Sequence, residues 1–173
     1  MLPFLQTLVL LAFPALVIVG AMRDATSFTI PNWISIALAA AFFPAAALMG
    51  AGAGQIGLAC LVGFGALVAG MGMFAAGWIG GGDAKLFAAA GLWMGLNALF
   101  PYLMVTAVAG GGLAVSLLAL RSTWLRPLAA RGPVWISRLA TPGENVPYGV
   151  AIAAGALAAF PESLLARLLA GLA

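Results

Sequence analysis

Polar and charged positions are so sparse along this chain that they punctuate one long series of apolar runs. The first run extends from about Phe4 to Met22, with Pro14 inside it, where a kink is expected. Its first positive charge, Arg23, follows the run instead of preceding it. A secretory signal has the opposite order, so the segment reads as a retained helix with its N-terminus outside. A second helix is predicted from Trp33 to Met49, with Pro31 near its start, where proline is tolerated. Gly50 to Gly54 turn the chain into a third run, Ile56 to Trp78. That run carries Gly57, Gly63, Gly65, Gly70, Gly72 and Gly77, read mainly as small surfaces for close helix packing in lipid. After Gly80-Gly81-Gly82 a fourth helix is expected from Ala84 to just before Pro101, and a fifth from Tyr102 to Leu120. Arg121 to Asn145 is the least hydrophobic stretch, and Pro147-Tyr148-Gly149 then leads into a last helix broken at Pro161. The pattern predicts an all-α integral membrane protein, a polytopic bundle of about six transmembrane helices forming a single domain over residues 1–173.

Composition agrees with that picture. Hydrophobic residues make up 65% of 173 positions and mean hydropathy is +1.17, more apolar surface than a soluble domain of this size can hide. The runs lack the strict alternation of a membrane barrel. Seven Lys+Arg against four Asp+Glu give a net charge of +3, spread over short loops with no dense basic tract. Nucleic acid is therefore not an expected partner, whereas the lipid bilayer is. With the N-terminus outside, Arg23, Lys85, Arg121, Arg126, Arg131 and Arg138 all fall on the cytoplasmic side and only Arg167 falls opposite, as the positive-inside rule requires. Cys60 is the lone cysteine and there is no histidine. An intrachain disulfide, a Cys/His zinc site and a Ser-His or Cys-His nucleophile are excluded, and no metal or cofactor is expected.

The acids change the picture more than the composition does. Beside Glu144 and Glu162 the chain has only Asp24 and Asp83, both at the edges of apolar segments. A carboxylate at membrane depth is expensive and is read as functional. Two helix crossings separate the pair and return the chain to the side it left, so both aspartates lie on one face. Two carboxyl groups brought together share one proton, so one serves as base toward a water and the other as acid toward a peptide carbonyl or leaving amine. The glycines before Asp83 remove side chains from the approach path, so that an extended substrate segment can lie along exposed main chain. Each acid also has a plain reading: Asp24 as an interfacial turn acid, Asp83 as an acid complementing a helix N-terminus. For Lys85 the plain reading, snorkelling to headgroups, outweighs tuning of the local field.

Gly80-Gly81-Gly82-Asp83 followed by Ala84-Lys85-Leu86 resembles the GxGDxKL element of the GxGD membrane aspartyl proteases. Asp24, with five residues between it and Ile30-Pro31-Asn32, resembles the corresponding element of the prepilin peptidase branch, and Pro147-Tyr148-Gly149 resembles its segment before the last helix. The order and spacing agree over nearly the whole chain. The resemblance implies an aspartic endopeptidase of the bacterial cytoplasmic (inner) membrane that cuts the leader of type IV prepilin and pseudopilin precursors at the cytoplasmic face. By that resemblance Asp24 and Asp83 are the catalytic pair, with Gly80, Gly82, Lys85, Pro31 and Asn32 in support. Longer members carry a cysteine-containing region associated with N-methylation. This chain lacks it and resembles the short form found with tight-adherence (Flp) pilus systems.

Two other classes stay open at the level of sequence. A small transporter or channel using intramembrane carboxylates is one, although its acids would be expected near the midplane. A non-catalytic assembly subunit is the other. The Arg121–Arg138 stretch, with Trp124 and Trp135, is a candidate contact for substrate or for pilus-assembly machinery, though an interfacial loop attracted to anionic lipid is the plainer reading. Glu144 stands close enough to the last helix to approach the aspartates.

Overall fold

The first apolar run folds as two helices in line, α1 (Leu2–Leu10) and α2 (Ala12–Ser27), in the computed structural model, which describes residues 2–129 and 131–171. The break falls at Leu11, upstream of Pro14, because proline has no N–H for the Leu10 carbonyl one turn back and its ring crowds that carbonyl. Leu11 N–H to Thr7 and Ala15 N–H to the Leu11 carbonyl carry the helix past the break. α2 stops at Phe28, which adopts a left-handed conformation (φ 54°) with its N–H on the Asp24 carbonyl at 2.9 Å. Phe28 is the one described non-glycine residue with positive φ.

Pro31 starts α3 (Asn32–Leu48), and α4 (Ala53–Ala75) follows after a short turn. Of the six glycines in the third run, Gly63 and Gly70 make the expected close approaches, meeting Leu92 and Ala84 at 3.0–3.1 Å from where a Cβ would stand. Gly57, Gly65 and Gly72 face open space and Gly77 makes a turn at φ +75°, so packing accounts for fewer of them than their number suggests.

α5 (Gly81–Leu120) has 40 residues, about 60 Å if straight and twice the hydrocarbon core of a bilayer. It is bent at Gly95, whose backbone (φ 58°, ψ −165°) lies in a region essentially reserved for glycine. The break expected before Pro101 thus comes six residues earlier, and Pro101 sits inside the second limb. The limbs, 81–94 and 96–120, fold back on each other: the Tyr102 hydroxyl donates to the Phe87 carbonyl at 3.1 Å, and the two rings stack with centroids 5.3 Å apart. In a straight helix those residues would be about 22 Å apart.

The short helices α6 (Arg126–Ala129) and α7 (Val134–Leu139) precede α8 (Tyr148–Ala159). A 3-10 turn at Phe160–Glu162, around Pro161 as expected, leads to α9 (Leu164–Leu169). The centre of the bundle is aromatic. Phe13 stacks on Phe160 and tilts against Trp93, while the Trp93 indole N–H donates to the Leu38 carbonyl at 2.8 Å. Four helical stretches are long and apolar enough to cross a membrane, Phe4–Ser27, Ala53–Ala75, Gly81–Leu120 and Tyr148–Leu169, with α3 a shorter fifth. With α5 doubled back, the chain is the polytopic helical membrane protein its pattern predicts.

Candidate active site

Three helix ends converge at one end of the bundle: the last turn of α2, the first turn of α5 and the start of α8. Asp24 and Asp83, both buried, project there and lie within hydrogen-bonding reach of each other. Gly80, just ahead of α5, donates its N–H to Asp83 Oδ2 at 3.0 Å. Gly149, in the first turn of α8, donates to Asp24 Oδ2 at 2.7 Å across 125 positions of sequence. Helix starts leave N–H groups free and carry a partial positive charge, so this is where a bundle can hold a carboxylate away from water. Asp83 Oδ1 is buried and has no N–H or O–H donor among the described residues. Two carboxyl groups can hydrogen-bond to each other only when at least one is protonated.

Glycine is enforced sterically at two positions. A Cβ on Gly149 would stand 2.8 Å from both Asp24 Oδ2 and Ile30 Cδ1, and one on Gly82 would stand 3.1 Å from Ile30 Cβ. Ile30 is therefore a wedge between the starts of α5 and α8. Sequence reasoning missed it as a supporting residue and assigned no role to Gly149. Both belong to quoted motifs, but only the tertiary contact says what they do. Gly81 and Gly82 form the first turn of α5, so that helix begins three residues ahead of the expected Ala84.

The expected supporting residues divide. Gly80 and Gly82 touch the pair or its wedge. Lys85 turns to the other side of α5, where Nζ donates to Asn32 Oδ1 at 2.8 Å and ties the starts of α5 and α3. Pro31 caps α3, and neither it, Asn32 nor Lys85 lines the cavity at the aspartates.

That cavity measures about 450 Å³ and is walled by Asp24, Asp83, Phe28, Trp78, Tyr148 and Glu144, among others. Glu144, expected near the pair, lines the same cavity. The Arg121–Asn145 stretch is also more than a membrane-facing loop. Arg121 donates to the carbonyls of Leu139 at 2.9 Å, Glu144 at 2.9 Å and Asn145 at 3.2 Å, while Arg138 lies 3.6 Å from Glu144 and 4.9 Å above the Phe28 ring. Its far side still presents Trp124, 89% exposed, as an interfacial segment would. Among the described residues no three His, Cys, Asp or Glu side chains gather into a metal-binding set.

The sequence matches the type IV leader peptidase family over residues 11–115, a stretch that holds both aspartates and stops short of Glu144 and Gly149. Comparison with curated proteins and with solved structures gives no match.

Proposed function

Given that the chain belongs to the type IV leader peptidase family, we propose that it is an aspartic endopeptidase in which Asp24 and Asp83 hydrolyse the leader bond of prepilin and pseudopilin precursors. The observation that carries this reading is the meeting of two buried carboxyl groups, from opposite ends of 59 intervening steps of chain, in a cavity at the end of a membrane bundle. The ionised member takes a proton from a water as its oxygen attacks the scissile carbonyl carbon, and the protonated member donates to the carbonyl oxygen. Collapse of the tetrahedral intermediate breaks the C–N bond, and the amine leaves with a proton returned by the pair. The Gly80 and Gly149 N–H groups hold the pair's remaining negative charge in place throughout.

The distribution of Lys and Arg supports a cytoplasmic site in the inner membrane, and the absence of a cysteine-containing insertion supports a short form serving a tight-adherence (Flp) type of pilus system. The test is cleavage of a co-expressed pilin precursor in membranes by wild type, Asp24→Asn and Asp83→Asn. Each variant is expected to accumulate normally and leave the precursor uncut. Normal processing by either would remove that aspartate from the mechanism.

A further inference from the structure

Two apolar grooves open sideways from the bundle, and only one leads to the aspartates. The first lies between α3 and α4, is bordered by Ile36, Phe43, Phe64 and Lys85, and shares no lining residue with the dyad cavity. The second lies between α4 and the second limb of α5. From α4 it takes Leu58, Leu61, Gly65, Ala69 and Met73, spaced by three or four and so on one helix face. From the second limb it takes Leu96, Leu99, Leu103, Ala107 and Gly111, again one face. The second groove consists of two cavities, about 470 and 250 Å³, that share Phe87 as their floor. The inner cavity in turn shares Ile79 and Tyr148 with the dyad cavity. Leu58 to Met73 spans about 22 Å and Leu96 to Ala114 about 27 Å, against a hydrocarbon core of about 30 Å. The slot therefore runs through most of the bilayer's depth and adjoins the cavity that holds the two carboxyl groups.

We infer that this slot seats the apolar transmembrane helix of the substrate, so that the residues leading into that helix enter the dyad cavity. The inference rests on the peptidase reading above and adds where the substrate lies. Lipid chains fill any lateral groove, but two features here suit a helix. On the second limb the lining turns small toward the aspartates, with Ala107, Gly110, Gly111 and Ala114 in succession, and small residues are what let two helix backbones approach in lipid. A helix lying along the slot also delivers its end, in fixed register, to the one cavity that holds the acids. The groove beside α3 also carries small residues, Ala39, Gly63, Ala88 and Ala89, but it shares no lining residue with the cavity that holds the acids, so a helix seated there would not deliver its end to them.

The test begins with enzyme carrying Cys60→Ala and one new cysteine, Gly111→Cys in the slot or Ile36→Cys in the other groove. Each is paired in membranes with a pilin precursor bearing single cysteines along its apolar helix, in both the active and the Asp83→Asn background. Cross-links to Gly111→Cys without cross-links to Ile36→Cys are expected. Cross-links at Ile36→Cys, or none at Gly111→Cys from an enzyme that still cleaves, would overturn the assignment while leaving the peptidase reading standing. If wild type leaves every precursor uncut, the peptidase reading fails and the slot assignment with it. A matched pair on one helix gives a second measurement. Gly111→Phe fills the slot and is expected to slow precursor cleavage roughly tenfold. Gly112→Phe, at a position that lines neither the slot nor the dyad cavity and meets nothing within 4 Å, is expected to leave cleavage unchanged. Equal rates for the two variants would also overturn the assignment.

Discussion

The two limbs of α5 have similar apolar sequences and opposite surroundings. From Asp83 to Gly95 every residue but Lys85 is buried, and Leu86, Trp93 and Met94 have no exposed surface. In the second limb only Ala98, Tyr102, Gly110 and Leu117 are buried, while Val108, Val115 and Leu118 are each two-thirds exposed or more. Hydropathy cannot separate the limbs, because lipid is as good a solvent for leucine as the bundle interior. What separates them is where small residues allow contact on every side. A helix surrounded by protein can hold a carboxyl group at its first turn. A helix at the perimeter can only form a wall. On the proposed peptidase reading, the asymmetry gives the chemistry to the first limb and access to the second.

The largest expected effect follows from that division. Asp83→Asn, at the head of the buried limb, abolishes precursor cleavage, as does Asp24→Asn, whereas Val115→Asn on the perimeter limb leaves it near wild type. Immunoblots of precursor and mature pilin in membranes read all three. Loss of cleavage in Val115→Asn as complete as in Asp83→Asn would erase the contrast. Next comes Gly149→Ala. Its methyl would sit 2.8 Å from Asp24 Oδ2, so the carboxyl must move off its N–H donor, and cleavage should fall by on the order of a hundredfold, equivalent to about 2.7 kcal/mol. A variant cleaving at the wild-type rate would show that the Gly149 contact does not hold Asp24 in its working position.

How far the sequence revealed this arrangement depended on contrast. Asp24 and Asp83 stand out because only four acids exist in 173 residues, and the helix ends stand out because Pro, Gly and Arg punctuate apolar runs. Gly95 was invisible for the opposite reason. It is one of 23 glycines, and nothing local distinguishes it from those packed against a neighbour, facing lipid or, like Gly50 and Gly77, turning the chain at positive φ. Pro101 drew the boundary to itself, although the second limb runs through it. The wedge at Ile30 and the Gly149 donor were beyond reach because each depends on which helix ends meet. That fact is set by packing across the whole bundle.

Stability sharpens the comparison at a smaller scale. Trp93→Ala removes a fully buried ring that touches Phe13 and Phe42 and donates to the Leu38 carbonyl, for an expected loss of about 3 kcal/mol. Truncating Val115 to Ala, on a face already open to lipid, should change stability by less than about 0.5 kcal/mol. Gly95→Ala, at the joint between the limbs, forces an L side chain into φ 58° and ψ −165° and should cost about 2 kcal/mol. Unfolding of the purified protein in a fixed detergent ranks the three. A Gly95→Ala protein as stable as wild type would mean that the limbs meet through some other turn.

Lys85 is the exception in the buried limb, and its variant carries the smallest expected effect. It is exposed, it lies two residues beyond Asp83 on the opposite side of the helix, and its one described partner is the neutral side chain of Asn32. A hydrogen bond in that setting contributes about 0.5 to 1 kcal/mol at most, so Lys85→Met should lower precursor cleavage no more than about threefold. Asn32→Ala should have the same effect, and the double variant should add nothing further, because either change removes the same link between α3 and α5. A loss in Lys85→Met far beyond that of Asn32→Ala would give the ammonium a second task, independent of Asn32. The buried limb would then present chemistry on both of its sides, and the clean division between its two faces would not survive.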